Sequence, residues 1–143
     1  LVDFVPEAAL KVVIADDAEE KIEAFQALLA GYVELDAIGV TSAEKCISVL
    51  QSGGFDALFI SLAMPHASGF MVLRAISGGS LKRPRFIGAI SEWSDVDSGR
   101  LADENADTDV VINRPYNYSQ IQAVVTQLAS STLEDDLLES LFA

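Results

Sequence analysis

Asp16 and Asp17 are neighbours, and adjacent carboxylates are hard oxygen donors of the kind that hold a divalent cation. Two of them, helped by backbone and water, would hold Mg2+ only weakly. The plainer reading is an acidic pair at a helix start, balanced by a cation. Ser61 and Ser91 each offer a hydroxyl, which is protonated at neutral pH and a poor nucleophile without an adjacent base. Arg114 is a permanent planar cation that prefers bidentate carboxylate partners. His66 is the only histidine and has no Cys or His companion at ligand spacing, so it is expected as an exposed loop residue. Cys46 lies on an apolar helical stripe and reads as a core thiol. No glycine-rich phosphate loop follows the first strand, and no acid–base pair flanks a nucleophile, so the sequence points away from an enzyme.

These residues matter only if the chain gathers them, and the hydropathy pattern says how. Lys11 to Ala15 is an apolar run ending at Asp16, the signature of a strand buried on both faces. Asp56 to Ser61 and Arg85 to Ile90 are two more such runs, Tyr32 to Ile38 is a second strand in chain order, and Val110 to Ile112 is a short fifth. Between them fall stretches of helical period. Ile22, Phe25 and Leu29 precede Gly31; Ala43, Ile47 and Leu50 follow the capping box Thr41-x-x-Glu44 and precede Gly53-Gly54. Phe70, Leu73 and Ile76 make a third helix, Ser94 to Glu104 a polar fourth, and Ile121, Val124, Val125 and Leu128 a fifth. Five strand–helix units in order predict an open parallel α/β sheet with helices on both faces, flavodoxin-like, with strand order 2-1-3-4-5. Such sheets place their functional crevice beyond the carboxyl ends of the strands, where Asp16, Asp17, Ser61, Ser91 and Arg114 all fall.

Composition narrows the function further. The 143 residues suit one domain, expected over residues 10–129, and half of them are hydrophobic. The net charge of −13 argues against a nucleic-acid surface and an anionic membrane surface, and favours a protein partner with a basic face. There is no apolar run long enough for a membrane span. Leu1 to Leu10 carries Asp3 and Glu7 and lacks the basic start of a signal peptide. The chain opens at Leu1 rather than Met, as a piece of a longer protein would. A lone cysteine fits a reducing, cytoplasmic location. Residues 130–143 differ from the rest: Thr132-x-x-Asp135 is a second capping signal, and Leu133, Leu137 and Leu141 predict a short, acidic, extra C-terminal helix or linker. That helix is expected to dock on its own domain, to form a homodimer, or to lead to an output domain.

The residues at the strand ends resemble the receiver domains of two-component response regulators, which have the CheY-like form of this fold. Receivers open with an acidic pair, here Asp16-Asp17. Their third strand ends in the phosphoacceptor aspartate, followed by a Met-Pro loop and a glycine, here Ser61, Met64-Pro65 and Gly69. Their fourth strand ends in Thr or Ser, here Ser91, and their fifth in Lys-Pro and an aromatic, here Arg114-Pro115-Tyr116. Ser61 stands 44 positions after Asp17, and Ser91 and Arg114 stand 30 and 53 positions after Ser61. The resemblance covers roughly residues 10 to 129.

Three departures bear on the same machine. Ser61 stands where the resemblance implies a carboxylate that attacks a phosphoryl group and ligates Mg2+. Arg114 replaces the lysine and is expected to turn toward Asp16 or Asp17. Val111 falls where receivers often carry a switching aromatic. The resemblance thus implies a degenerate pseudo-receiver, independent of phosphorylation, without a cofactor, and acting through a protein partner or other domains of its chain. Trp93, Val111, Tyr116 and Tyr118 are its expected interaction face, with ordinary packing as the alternative. The rival expectation is a residual Mg2+- or phosphoryl-sensing switch that uses Asp16 and Asp17. Ser91 is expected to hydrogen-bond Ser61 or Asp17.

Overall fold

The computed structural model describes residues 9–142, and side chains for 9–93 and 96–130. Five strands, β1 (Leu10–Ala15), β2 (Leu35–Val40), β3 (Ala57–Ser61), β4 (Phe86–Ser91) and β5 (Val110–Asn113), form one sheet of order β2-β1-β3-β4-β5. All four pairings are parallel. The connections are α1 (Glu19–Ala30), α2 (Ala43–Gln51), α3 (Ser68–Ser77) and α4 (Ser94–Asp103), and α5 (Tyr118–Phe142) closes the chain. This is the flavodoxin-like fold expected from the alternation of buried runs and helical stripes.

Alternation along the central strands divides the core in two. Val13, Ala15, Leu58, Ile60, Ile87 and Ala89 face α2, α3 and α4 through Cys46, Leu50, Phe70, Leu73 and Leu101. Val12, Ile14, Phe59, Phe86 and Ile90 face α1 and α5 through Phe25, Leu29, Ile121, Val124 and Leu128. Every residue of β3 and β4 is buried, because helices cover both faces of both strands.

Three local expectations need correction. The second strand starts at Leu35, not Tyr32, because the amides of Tyr32 and Val33 both close the end of α1 onto the Leu29 carbonyl. Thr41 is not the cap of α2. Ser42 is, its Oγ accepting from the Lys45 amide at 3.2 Å. The expected C-terminal helix is present, to Phe142, but Thr132 does not start it: it runs on from α5 without a break. Where the Leu133, Leu137 and Leu141 side chains dock lies outside the described residues, as does the reading of residues 1–8. Among the described residues, no helix is long and apolar enough to cross a membrane.

Candidate functional site at the carboxyl ends of the strands

Parallel pairing brings the ends of β1, β3, β4 and β5 together. The Leu62 amide bonds to the Ile90 carbonyl at 2.8 Å, and the Arg114 amide to the Ser91 carbonyl at 2.9 Å. The sheet itself therefore sets Ser61, Ser91 and Arg114 side by side, next to Asp16 at the end of β1.

Arg114 is the hub. Its Nη2 donates to Asp16 Oδ2 in a buried ion pair, with Asp16 only 1 % exposed. Its Nη1 donates to Glu92 Oε1 at 3.2 Å and its Nε to the Tyr116 hydroxyl at 2.9 Å. Asp16 is thus the acid that the arginine selects. Asp17 turns outward instead to Lys21, Nζ to Oδ1 3.1 Å, while its own amide donates to Asp16 Oδ1 at 2.7 Å. Neither acid caps α1, whose N-cap residue is Ala18 with no side-chain bond.

The two adjacent carboxyls are pushed in opposite directions. Burial, the largest influence, raises Asp16 above the ordinary carboxylate range, and Arg114 opposes it. Hydrogen bonding with Asp16 and then Lys21 lowers Asp17. Burial works against the charge on Arg114, but its bonds to Asp16 and Tyr116 outweigh that and raise it.

Ser61 is fully buried. Its Oγ accepts from the Ala63 amide at 3.2 Å, bridging the start of the loop that leads through the 3-10 turn Pro65–Ala67 to α3. Gly69 seats the first turn of α3 against this strand end: a Cβ there would collide with the Ser61 carbonyl oxygen. The serine is therefore enclosed at the strand end, with its hydroxyl bonded to the loop backbone.

Ser91 departs from expectation. It bonds neither Ser61 nor Asp17. Its Oγ donates to Asp97 Oδ2 at 2.6 Å and accepts from the Trp93 amide at 3.1 Å. Asp97 was missed because α4 reads as a polar stretch. The available signal was its position four residues before the buried Leu101, which puts an acid on the inward face of the helix. Glu92, the second acid on Arg114, was also missed.

The four residues expected as one interaction face divide. Trp93 and Tyr118 are 68 % and 76 % exposed, and Val96 joins them at 71 %. Val111 is half-buried against the core beneath α2–α4, and Tyr116 packs its ring on Phe25 at 5.4 Å on the opposite side of the sheet. Both serve packing, because strand alternation and the Arg114 bond turn them inward. His66 stands in the loop after β3 with positive φ, as an exposed residue, and Cys46 is a buried thiol whose pKa burial pushes up to about 12.

The donor set does not fit a Mg2+ site. Asp16 has one oxygen on a guanidinium and the other on an amide, Asp17 carries an ammonium, and the third position is a hydroxyl. Cations already neutralise the carboxylates a divalent ion would need. Among the described residues, no group of three or more His, Cys, Asp or Glu is placed to hold a metal ion.

Comparison with solved structures supports the fold. The chain is similar to a CheY-like response regulator receiver domain from Methylobacillus flagellatus, with TM-score 0.70 and 21% identity over 85% of this chain and 99% of that one. It is similar to the signal receiver domain of an HD domain-containing protein from Pseudomonas fluorescens Pf-5, with TM-score 0.73 and 14% identity over 94% and 98% of the two chains. The response regulatory domain of mrkE from Klebsiella pneumoniae matches with TM-score 0.71 and 21% identity, over 85% and 97%. No family model matches the sequence. The chain therefore has the receiver fold, at a sequence distance where likeness speaks for architecture alone.

Proposed function

We propose that this chain is a receiver-like signalling module that works through protein contacts and does not depend on phosphorylation. One observation carries the reading: Arg114, the cation at the strand ends, is committed to the buried Asp16, and the neighbouring position is Ser61 rather than a carboxylate. A receiver of this fold needs a free acceptor carboxylate and a cation available to the incoming phosphoryl group. Here the hydroxyl has no base beside it, and the cation is engaged. Exposed Trp93 and Tyr118, at the starts of α4 and α5, are the proposed anchors for a protein partner or another domain of the same chain. The net charge of −13 favours a partner with a basic surface over nucleic acid or membrane.

The test is incubation of the chain with acetyl phosphate and Mg2+, read by intact mass and by amide NMR. The expected result is no phosphoryl adduct and no saturable shift. A stoichiometric adduct, or saturable shifts spreading from Asp16 and Asp17 to Ser91 and Arg114, would overturn the reading in favour of a residual switch.

A further inference from the structure

Ser91 and Asp97 are buried polar side chains joined to each other at the start of α4, next to the exposed Trp93 and Val96. A serine hydroxyl has a single proton to donate, and Ser91 gives it to Asp97 Oδ2 at 2.6 Å. Ser91 Oγ in turn accepts from the Trp93 amide at 3.1 Å, and the Asp97 amide donates to the Trp93 carbonyl at 2.8 Å. Three bonds therefore tie the end of β4, residue 93 and the first turn of α4 into one closed set. Trp93, the N-cap residue, supplies no side-chain cap of its own. A carboxylate near the first turn is also favoured by the dipole of α4. Among the described residues, no cation is bonded to Asp97.

We propose that Asp97 is a built-in latch: its carboxylate occupies the Ser91 hydroxyl that a ligand at the strand ends would need, and so holds α4 in one position with Trp93 turned outward. Asp97 is a positioning residue, acting through Ser91 on a surface it does not itself form. The inference deepens the phosphorylation-independent reading and takes its functional meaning from it. It explains how such a module keeps one presenting surface without a signal: the hydroxyl at the end of β4 is already engaged by a group on the chain's own α4.

The experiment uses the full 143-residue chain and its single tryptophan. Ser91→Ala, Asp97→Ala, the double variant and Ser91→Thr are compared by residue-resolved hydrogen exchange and by the anisotropy decay of Trp93. Loss of a hydrogen bond to a buried charged group is expected to speed exchange of the α4 amides by about ten-fold or more in each single alanine variant. Exchange in β1 and β3 stays unchanged, and Trp93 gains fast local motion. The double variant goes no further than the larger single, and Ser91→Thr, which keeps the hydroxyl, stays close to wild type. Exchange rising evenly over the whole sheet, unchanged Trp93 motion, or a double effect equal to the product of the two singles would each overturn the latch. None of these measurements involves a phosphodonor. An adduct in the earlier test would therefore remove the functional reading while leaving the latch standing, and a negative exchange result would remove the latch alone.

Discussion

Two arginine clusters hold opposite ends of this sheet, and they differ in burial. At the carboxyl end, Arg114 is 13 % exposed and Asp16 is 1 % exposed. At the amino end, Arg83 bridges Asp107 and Asp109 at 2.6 and 2.8 Å, with the three side chains 29 %, 60 % and 37 % exposed. Both clusters use every face of the guanidinium: Arg83 also donates to the carbonyls of Pro84 and Arg85, as Arg114 does to Tyr116 and Glu92. The chemistry is the same and the energetic stakes are not. Water screens the Arg83 cluster and would solvate its acids if the arginine left. It cannot do so for Asp16. The buried cluster is therefore the one whose arginine is held against a charge that water cannot reach, while the acids on Arg83 stay open to solvent.

The sharpest test of that difference is Arg114→Met. It keeps much of the apolar stem and strands the Asp16 charge in the interior. Unfolding in urea at neutral pH is expected to show a loss of about 3–5 kcal/mol, the cost of breaking one side of a buried pair. Burial already raises Asp16 above its ordinary 3.8, and the variant removes the cation that opposed the rise. A carboxyl whose folded pKa lies above its unfolded one is penalised as pH rises, because the folded state must give up a proton it holds more tightly. The deficit should therefore be full at neutral pH and fade well below pH 3.8, where Asp16 is protonated in both states. A deficit equal at both pH values would mean that Arg114 stabilises by packing, and the contrast with Arg83 would fail.

How much of this was legible in the sequence follows from the same physics. The runs 11–15, 56–61 and 85–90 were readable as strands because, past their charged first residues, helices on both faces bury residues 12–15, 57–61 and 86–90 and keep them almost wholly apolar. β2 is an edge strand with half its residues in contact with water, so its pattern is diluted and its start was misplaced by three residues. The strand-end residues were readable because parallel topology fixes where the crevice lies. The pairing of Arg114 with an acid was readable from guanidinium chemistry. Which acid was not, since choosing between Asp16 and Asp17 needs the inward or outward turn of the chain after β1. Asp97 was invisible because one buried acid in a polar helix leaves no periodic trace; only its register with Leu101 marks it.

Arg83→Met provides the matching measurement. Its partners are substantially exposed, so the expected loss is only about 1 kcal/mol, and added salt should reduce it further. Asp109 keeps its other bond, the Ile87 amide at 2.7 Å, so the β4–β5 pairing stays intact. A loss rivalling that of Arg114→Met, unaffected by salt, would show that burial is not what separates the two clusters.

The smallest effect is expected at Asp17 and Lys21, the surface arm of the site. The ammonium and carboxylate stand 3.1 Å apart in an i, i+4 arrangement with the acid leading, and are 42 % and 34 % exposed. Lys21→Ala should cost about 0.3–0.5 kcal/mol. Asp17 has a lowered folded pKa, so its contribution is present above 3.8 and is lost as pH falls below that value. Lys21 is only the second cause of that lowering, after hydrogen bonding with Asp16. Removing it should move the Asp17 carboxyl, followed by NMR, only part of the way back to 3.8. A complete return would show that Asp16 does not act on its neighbour, and the two acids would then belong to separate clusters, one buried and structural, the other an ordinary surface pair.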